Sequence, residues 1–179
     1  MILPPEYLLL RAGTCDPRHM SISDTHAHLP AFGEHERKQA GHYLQSTLVE
    51  LIDLSLIGKQ LHWNIAGHGF RDFHLQLDEL VDEWHGLADT VAERAVAIGH
   101  PADGRASAVA QGSELRPVEP GSIEVPAALH ELVDRVAEVD ERVRDRLDRL
   151  GEIDLVSQDV LIEVSRAVEK QLWMIRSQI

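Results

Sequence analysis

At 179 residues the chain is long enough for one domain with a real core, and its hydrophobic fraction of 44% is that of an ordinary globular protein. Aromatics make up only 4%, so the apolar content is mostly Leu, Val, Ile and Ala, which favours helices. A net charge of −13 disfavours nucleic acid and anionic membrane as partners and favours cations, and a single cysteine, Cys15, excludes an internal disulfide and fits a reducing, cytoplasmic compartment. No apolar run approaches the roughly 20 residues of a membrane span. The opening "MILPPEYLLLRAG" carries Pro4, Pro5 and Glu6 and no basic region, so it does not read as a signal peptide; Met20 is a second candidate start.

In chain order, residues 1–40 read as a flexible arm rich in Pro, Gly, His, Asp and Ser, without sustained periodicity. From Ala40 onward, Leu44, Leu48, Leu51, Ile52, Ser55 and Leu56 recur at helical spacing, which predicts a first long helix ending at Gly67. A second helix is expected from about Asp72 to Ile98, stopped by Gly99, Pro101 and Gly104. A long connection over about residues 100–125 follows, with a short helix within "RASAVAQGSE". Pro126 opens a third long helix and Gly151 closes it; a fourth runs from "DLVSQ" to the end of the chain. Nothing reads as a strand. The chain is therefore expected to be all-α, with residues 41–179 forming a four-helix bundle joined by short, long and short connections, the ferritin-like topology.

The chemistry gathers around "KQLHWNIAGHGFRDFHLQLDE", Lys59 to Glu79. His62 lies near the end of the first helix and His74 near the start of the second, so they can face each other across the turn. At about 100° per residue measured from His74, Asp78 falls at about 40°, His85 at about 20°, Asp89 at about 60° and Glu93 at about 100°, all on one stripe. A single histidine on such a face is usually a packed or hydrogen-bonded one; five imidazole and carboxylate groups on adjoining elements point to metal. Imidazole and carboxylate without thiolate suit iron, zinc or manganese. The Glu-x-x-His pairs of ordinary di-iron bundles are absent from matching places on two helices, which disfavours that arrangement. Asp78 and Asp89 are about 16 Å apart along a helix at 1.5 Å per residue. Either two sites exist, or the far acids meet the histidine end of another chain across a two-fold axis.

The stretch "LIDLSLIGKQLHWNIAGHGFRDFHLQLDELVDEW…ADTVAERAVAIG" resembles the Dps family, the mini-ferritins named as DNA-binding proteins from starved cells. The "HWN", the His twelve residues on, the "LD" beyond it and the "D-x-x-x-E-R" match at the family's spacing, and "DLVSQDVLIEVSRAVEKQLWMI" resembles its last helix. The resemblance implies a hollow, tetrahedral homo-dodecamer whose ferroxidase sites lie between two-fold-related subunits. It implies iron ligation by His62, His74 and Asp78 of one chain with Asp89 and Glu93 of the partner subunit. It likens Trp63 to a tryptophan that exchanges an electron during peroxide reduction, and Asp159 to an acid at the pore by which iron enters. Both residues have plainer readings, a packed aromatic and an acid favoured at a helix N-terminus. The family often has Glu directly after the second His, where this chain has Leu75; Glu79 and Glu83 are candidate substitutes for mineral nucleation.

The reading that follows is a ferroxidase-type enzyme that oxidises Fe2+ with hydrogen peroxide, stores ferric oxide and so protects DNA from oxidative damage. The rival is a nucleoid-compacting protein that coats DNA. Residues 1–40 hold Arg11, Arg18, Arg37 and Lys38 against Glu6, Asp16, Asp24, Glu34 and Glu36, so the basic arm this rival needs is lacking and DNA binding is expected to be weak. A redox-silent zinc shell is a third alternative. His19, His26, His28, His35 and His42, close to Asp24, Glu34 and Glu36, make the arm a candidate second metal site of zinc type.

Overall fold

The computed structural model describes residues 29–30 and 32–179. Five helices and one short strand pair follow one another: α1 Glu34–Asn64, β1 Ile65–Ala66, α2 Phe70–Ala97, α3 Ala106–Gly112, β2 Ile123–Glu124, α4 Val125–Leu150 and α5 Leu155–Arg176. The helix α1 starts ahead of Ala40, where the apolar periodicity begins. Its first residues are polar and exposed and give no periodic signal, but Glu34 and Glu36 sit favourably in the first turn of the dipole, and Arg37 Nη1 donates to the Phe32 carbonyl at 2.7 Å. It also stops short of Gly67, because Ile65 and Ala66 are extended and pair in parallel with Ile123 and Glu124. Two-residue strands are too short to show a period of two, so no strand was legible in the sequence.

α1 packs along α2 and α4 along α5; α1 also faces α4, and α2 faces α5, which closes a four-helix bundle. The crossover that carries α3 lies against α1. Buried residues follow helical spacing, as in Phe73, Leu77, Val81, Trp84, Ala88, Val91 and Ala95 of α2. Leu44, Leu51, Leu54 and Leu61 answer from α1, Leu132, Val136, Val139 and Val143 from α4, and Leu161, Val168 and Ile175 from α5. A Cβ on Gly58 would stand 2.7 Å from Val81 Cγ2 and 2.8 Å from the Trp84 ring, so only glycine lets α1 and α2 come this close. Trp84 donates its indole N–H to Gln171 Oε1 at 2.8 Å, and Gln171 donates to Glu83 at 2.7 Å, which satisfies both buried polar groups.

Two charged ties lock the bundle. At the far end of α2, Arg94 reaches Asp154, the N-cap of α5, at 2.5 Å, and donates to the Ser157 hydroxyl at 3.0 Å. Burial pushes the Asp154 carboxyl up, but the Ser157 hydroxyl and the Arg94 guanidinium outweigh it and leave it below its ordinary value. Between α1 and α4, Glu50, only 1% exposed, accepts from Arg142 Nε at 2.5 Å and Arg146 Nη1 at 2.6 Å. Breaking a buried pair leaves uncompensated charge behind. Glu50→Ala should therefore lower unfolding stability by about 3 kcal/mol. Urea unfolding of wild type and variant checks this; a shift within about 0.5 kcal/mol, the range of a neutral surface change, would show that the triad carries no stability.

Candidate metal centre

α1 delivers His62 on its last turn and α2 delivers His74 on its second, so the tight α1–α2 connection sets the two rings face to face. Their centroids are 3.6 Å apart, and the planes differ by 22°. His62 Nδ1 lies 3.0 Å from the His74 carbonyl, and His74 Nδ1 lies 3.0 Å from the His62 carbonyl. A carbonyl oxygen only accepts, so each Nδ1 must carry the proton and donate it. In the neutral rings each Nε2 then keeps its lone pair, which can bind a cation. This is the outer hydrogen bonding that orients imidazole ligands in metal sites. The Phe70 ring packs on His74 at 5.1 Å.

Asp78 follows His74 by one helical turn. Its Oδ1 lies 3.3 Å from His62 Nδ1 and 2.5 Å from Lys59 Nζ. The Lys59 hydrogen bond, reinforced by the ammonium charge, holds the Asp78 carboxyl below its ordinary value against the opposing effect of burial. The carboxylate is thus ionised at any ordinary pH. One donor atom from each of His62, His74 and Asp78 lies within 4.8 Å of the others, and no other such group occurs among the described residues. His62 is buried, while His74 and Asp78 are half-buried and open to one side.

The remaining sequence-predicted residues are placed apart from this triad. Asp89 and Glu93 lie further along α2, exposed, and do not join it within the chain; His85 is exposed on the same helix. Trp63, next to His62, is 70% exposed. Asp159 is exposed near the start of α5, one turn beyond the Asp154 cap. Leu75 is exposed beside His74, as are Glu79 and Glu83 further on. His35 and His42 are exposed on α1 and join no metal-capable group among the described residues. His19, His26 and His28, on which the zinc expectation for the arm also depends, lie outside the described residues. Sequence reasoning missed Lys59. The signal was its spacing, three residues before His62, which sets both on one face of α1.

A cation entering this centre meets an acid already engaged by an ammonium group. Leu56, Trp63, Phe70 and Leu75, on the two helices that carry the triad, are exposed, and of these Phe70 touches it through the His74 ring.

The ferritin-like domain family model matches residues 41–179. The chain is 31% identical over 149 residues to DNA protection during starvation protein 2 of Deinococcus radiodurans, covering 83% of this chain and 62% of that one. It is 31% identical over 137 residues to the DNA protection during starvation protein of Agrobacterium fabrum, covering 76% of this chain and 85% of that one. Among solved structures, Dps from Microbacterium arborescens in its high iron form superposes with a TM-score of 0.79 at 32% identity, covering 84% of this chain and 98% of that one. The chain thus spans less than two thirds of the Deinococcus protein and most of the other two.

Removing the competing ammonium should help a cation. Lys59→Met should raise the affinity of the triad for Co2+ about five-fold, since a partly exposed ion pair contributes up to about 1 kcal/mol. Equilibrium titration checks it; unchanged or weaker binding would show that Lys59 does not compete.

Proposed function

From the premise that the chain belongs to the ferritin-like superfamily and, within it, to the Dps family, we propose that it oxidises and stores iron. Fe2+ is the substrate and hydrogen peroxide the oxidant. Two ferrous ions give up one electron each, the O–O bond breaks, and ferric oxide grows inside a hollow homo-dodecamer in the cytoplasm. Both reagents of hydroxyl-radical chemistry are removed, and DNA is protected without being coated. The observation that carries this reading is the pair of imidazoles locked with Nδ1–H donated to backbone and Nε2 free, beside an ionised carboxylate. The high-iron state of the Microbacterium relative supports it.

The chain's own residues divide the work. His62 and His74 hold the ferrous ion through nitrogen. Asp78, with Asp89 and Glu93 of the partner subunit, supplies hard oxygen donors that favour the ferric product and so help drive the oxidation. Sharing between subunits accommodates the distance, because Asp89 stands about 16 Å along the helix from Asp78 and one chain cannot bring both to one ion. Trp63, Phe70 and Leu75, exposed on the helices that carry the triad, are side chains a partner subunit would cover. Trp63, exposed beside His62, is placed to supply or absorb an electron as peroxide is reduced. Asp159 would draw Fe2+ towards the pore by which iron enters.

His62→Ala or Asp89→Ala should slow peroxide-dependent ferrous oxidation strongly while the shell still assembles; wild-type rates in either assembled variant would remove the assignment. The sharing has its own signature. One variant lacks His62 and His74, another lacks Asp89 and Glu93, and each alone should be nearly inactive. In randomly mixed shells half of the two-fold contacts join unlike chains, and each restores one of its two sites. Activity should return to about one quarter of wild type. Mixed shells, shown by mass to hold both variants yet no more active than either, would refute the shared site.

The net charge of −13 and the balanced arm predict no tight duplex binding. A gel-shift complex that survives about 150 mM salt in the presence of chelator would contradict this, because counterion release weakens charge-driven binding steeply by that point.

A further inference from the structure

Besides Arg71 in its first turn, the stripe on α2 holds two ionisable residues that the iron site does not use. Measured from His74 at about 100° per residue, Asp82 falls at about 80° and His85 at about 20°. Both lie within the arc occupied by His74, Asp78, Asp89 and Glu93. Asp82 and His85 are exposed, and neither has a hydrogen-bond or ion-pair partner among the described residues. Beside them stands Gly86, in mid-helix, where glycine costs about 1 kcal/mol relative to alanine. Beyond its own helix backbone, nothing among the described residues comes within 4 Å of where its Cβ would be, so no packing among them requires it. The missing side chain leaves room for a second helix to approach.

The proposed function, on which this inference rests, fixes the register of that second helix. His74 and Asp78 are centred on Gln76; Asp89 and Glu93, which the partner subunit returns to the same site, are centred on Val91. Two antiparallel copies of α2 therefore cross about the point between Glu83 and Trp84. The same register sets Asp82 opposite His85 of the partner subunit. By symmetry, it sets His85 opposite the partner subunit's Asp82. Each group lies about 2 Å along the helix from the axis, so all four fall in a window about 4.5 Å long. That is the scale of a tetrahedral shell with ligand bonds of about 2.0–2.2 Å. Packed helices lie about 8–10 Å apart, a gap that Asp and His side chains span from both sides.

We propose that Asp82 and His85 of two chains form a second divalent-cation site, on the two-fold axis, midway between the two iron centres. Two imidazoles and two carboxylates without thiolate suit a first-row ion such as Zn2+, Mn2+ or Fe2+. The bound ion neutralises the two carboxylates where two strongly acidic chains meet. It lies roughly 8 Å along the helix from each Asp78 and holds the two halves of each iron site in register. The site is structural and takes no part in electron transfer.

The test is a Co2+ titration of the assembled full-length protein, followed by visible absorption and by metal analysis after desalting. Wild type should retain one Co2+ per two chains more than His85→Gln or Asp82→Asn. His62→Ala should keep that ion while losing ferrous oxidation. Equal retention in wild type and both near-isosteric variants overturns the inference, even where His62→Ala abolishes oxidation. Unimpaired oxidation in His62→Ala overturns instead the iron-site reading that sets the register. Should the variants assemble poorly, the anomalous signal in Co2+-soaked wild-type crystals decides: a peak on the two-fold axis between the Asp82 and His85 side chains supports the site, and its absence removes it.

Discussion

The close approach of α1 and α2 is the constraint on which the rest of the molecule depends. Gly58 removes the one side chain that would hold the helices apart against Val81 and Trp84. One turn later, His62 and His74 exchange Nδ1–H···O=C hydrogen bonds across the same seam. The bond from His74 satisfies the His62 carbonyl in the last turn of α1, and each bond fixes which imidazole nitrogen carries the proton. The short parallel pairing of Ile65 with Ile123 then holds the connection between the two helices against the far end of the crossover. Preorganisation of this kind means that a cation finds two donors already oriented and displaces only the Lys59 ammonium from Asp78.

A second constraint is the fixed rise of the helix. An α-helix cannot bring residues eleven apart to one ion, so α2 presents its donors as two separate groups. In the proposed function this separation couples activity to assembly: an iron site completed across a two-fold contact would work only in the assembled shell, where its product has somewhere to accumulate. Trp63, Phe70 and Leu75, exposed on the helices that carry the triad, fit that proposal, because burying them on assembly would supply the non-directional part of the contact.

The bundle interior explains why the chemistry is at the surface. Aliphatic side chains, Phe73 and Trp84 fill it, and the one fully buried carboxylate among the described residues, Glu50, is already neutralised by Arg142 and Arg146. A buried acid paired twice is unavailable to a cation, and displacing two guanidinium groups would leave them charged and unpartnered. The interior supplies rigidity, and the triad able to hold a metal lies at the seam of α1 and α2.

Much of this was legible in the sequence. Helical periodicity, Pro126 and Gly151 gave four long helices and a helical crossover, because packing and capping leave local marks. The spacing of His62, His74 and Asp78 marked the centre for a similar reason: a helix turns residues four apart onto one face, and a short connection brings two helix ends together. The start of α1 at Glu34 left no apolar mark, since its first residues are solvated and their helicity is set by end charges and the Arg37 contact. Three things needed the tertiary structure. The Lys59–Asp78 pair, the tautomer of both imidazoles and the Glu50–Arg142–Arg146 triad all join groups on different helices. Sequence determines what each helix face carries. Only the packed bundle decides which atoms of facing helices come within hydrogen-bond distance, because that depends on axial register and on separations of a few tenths of an ångström, which no single helix encodes.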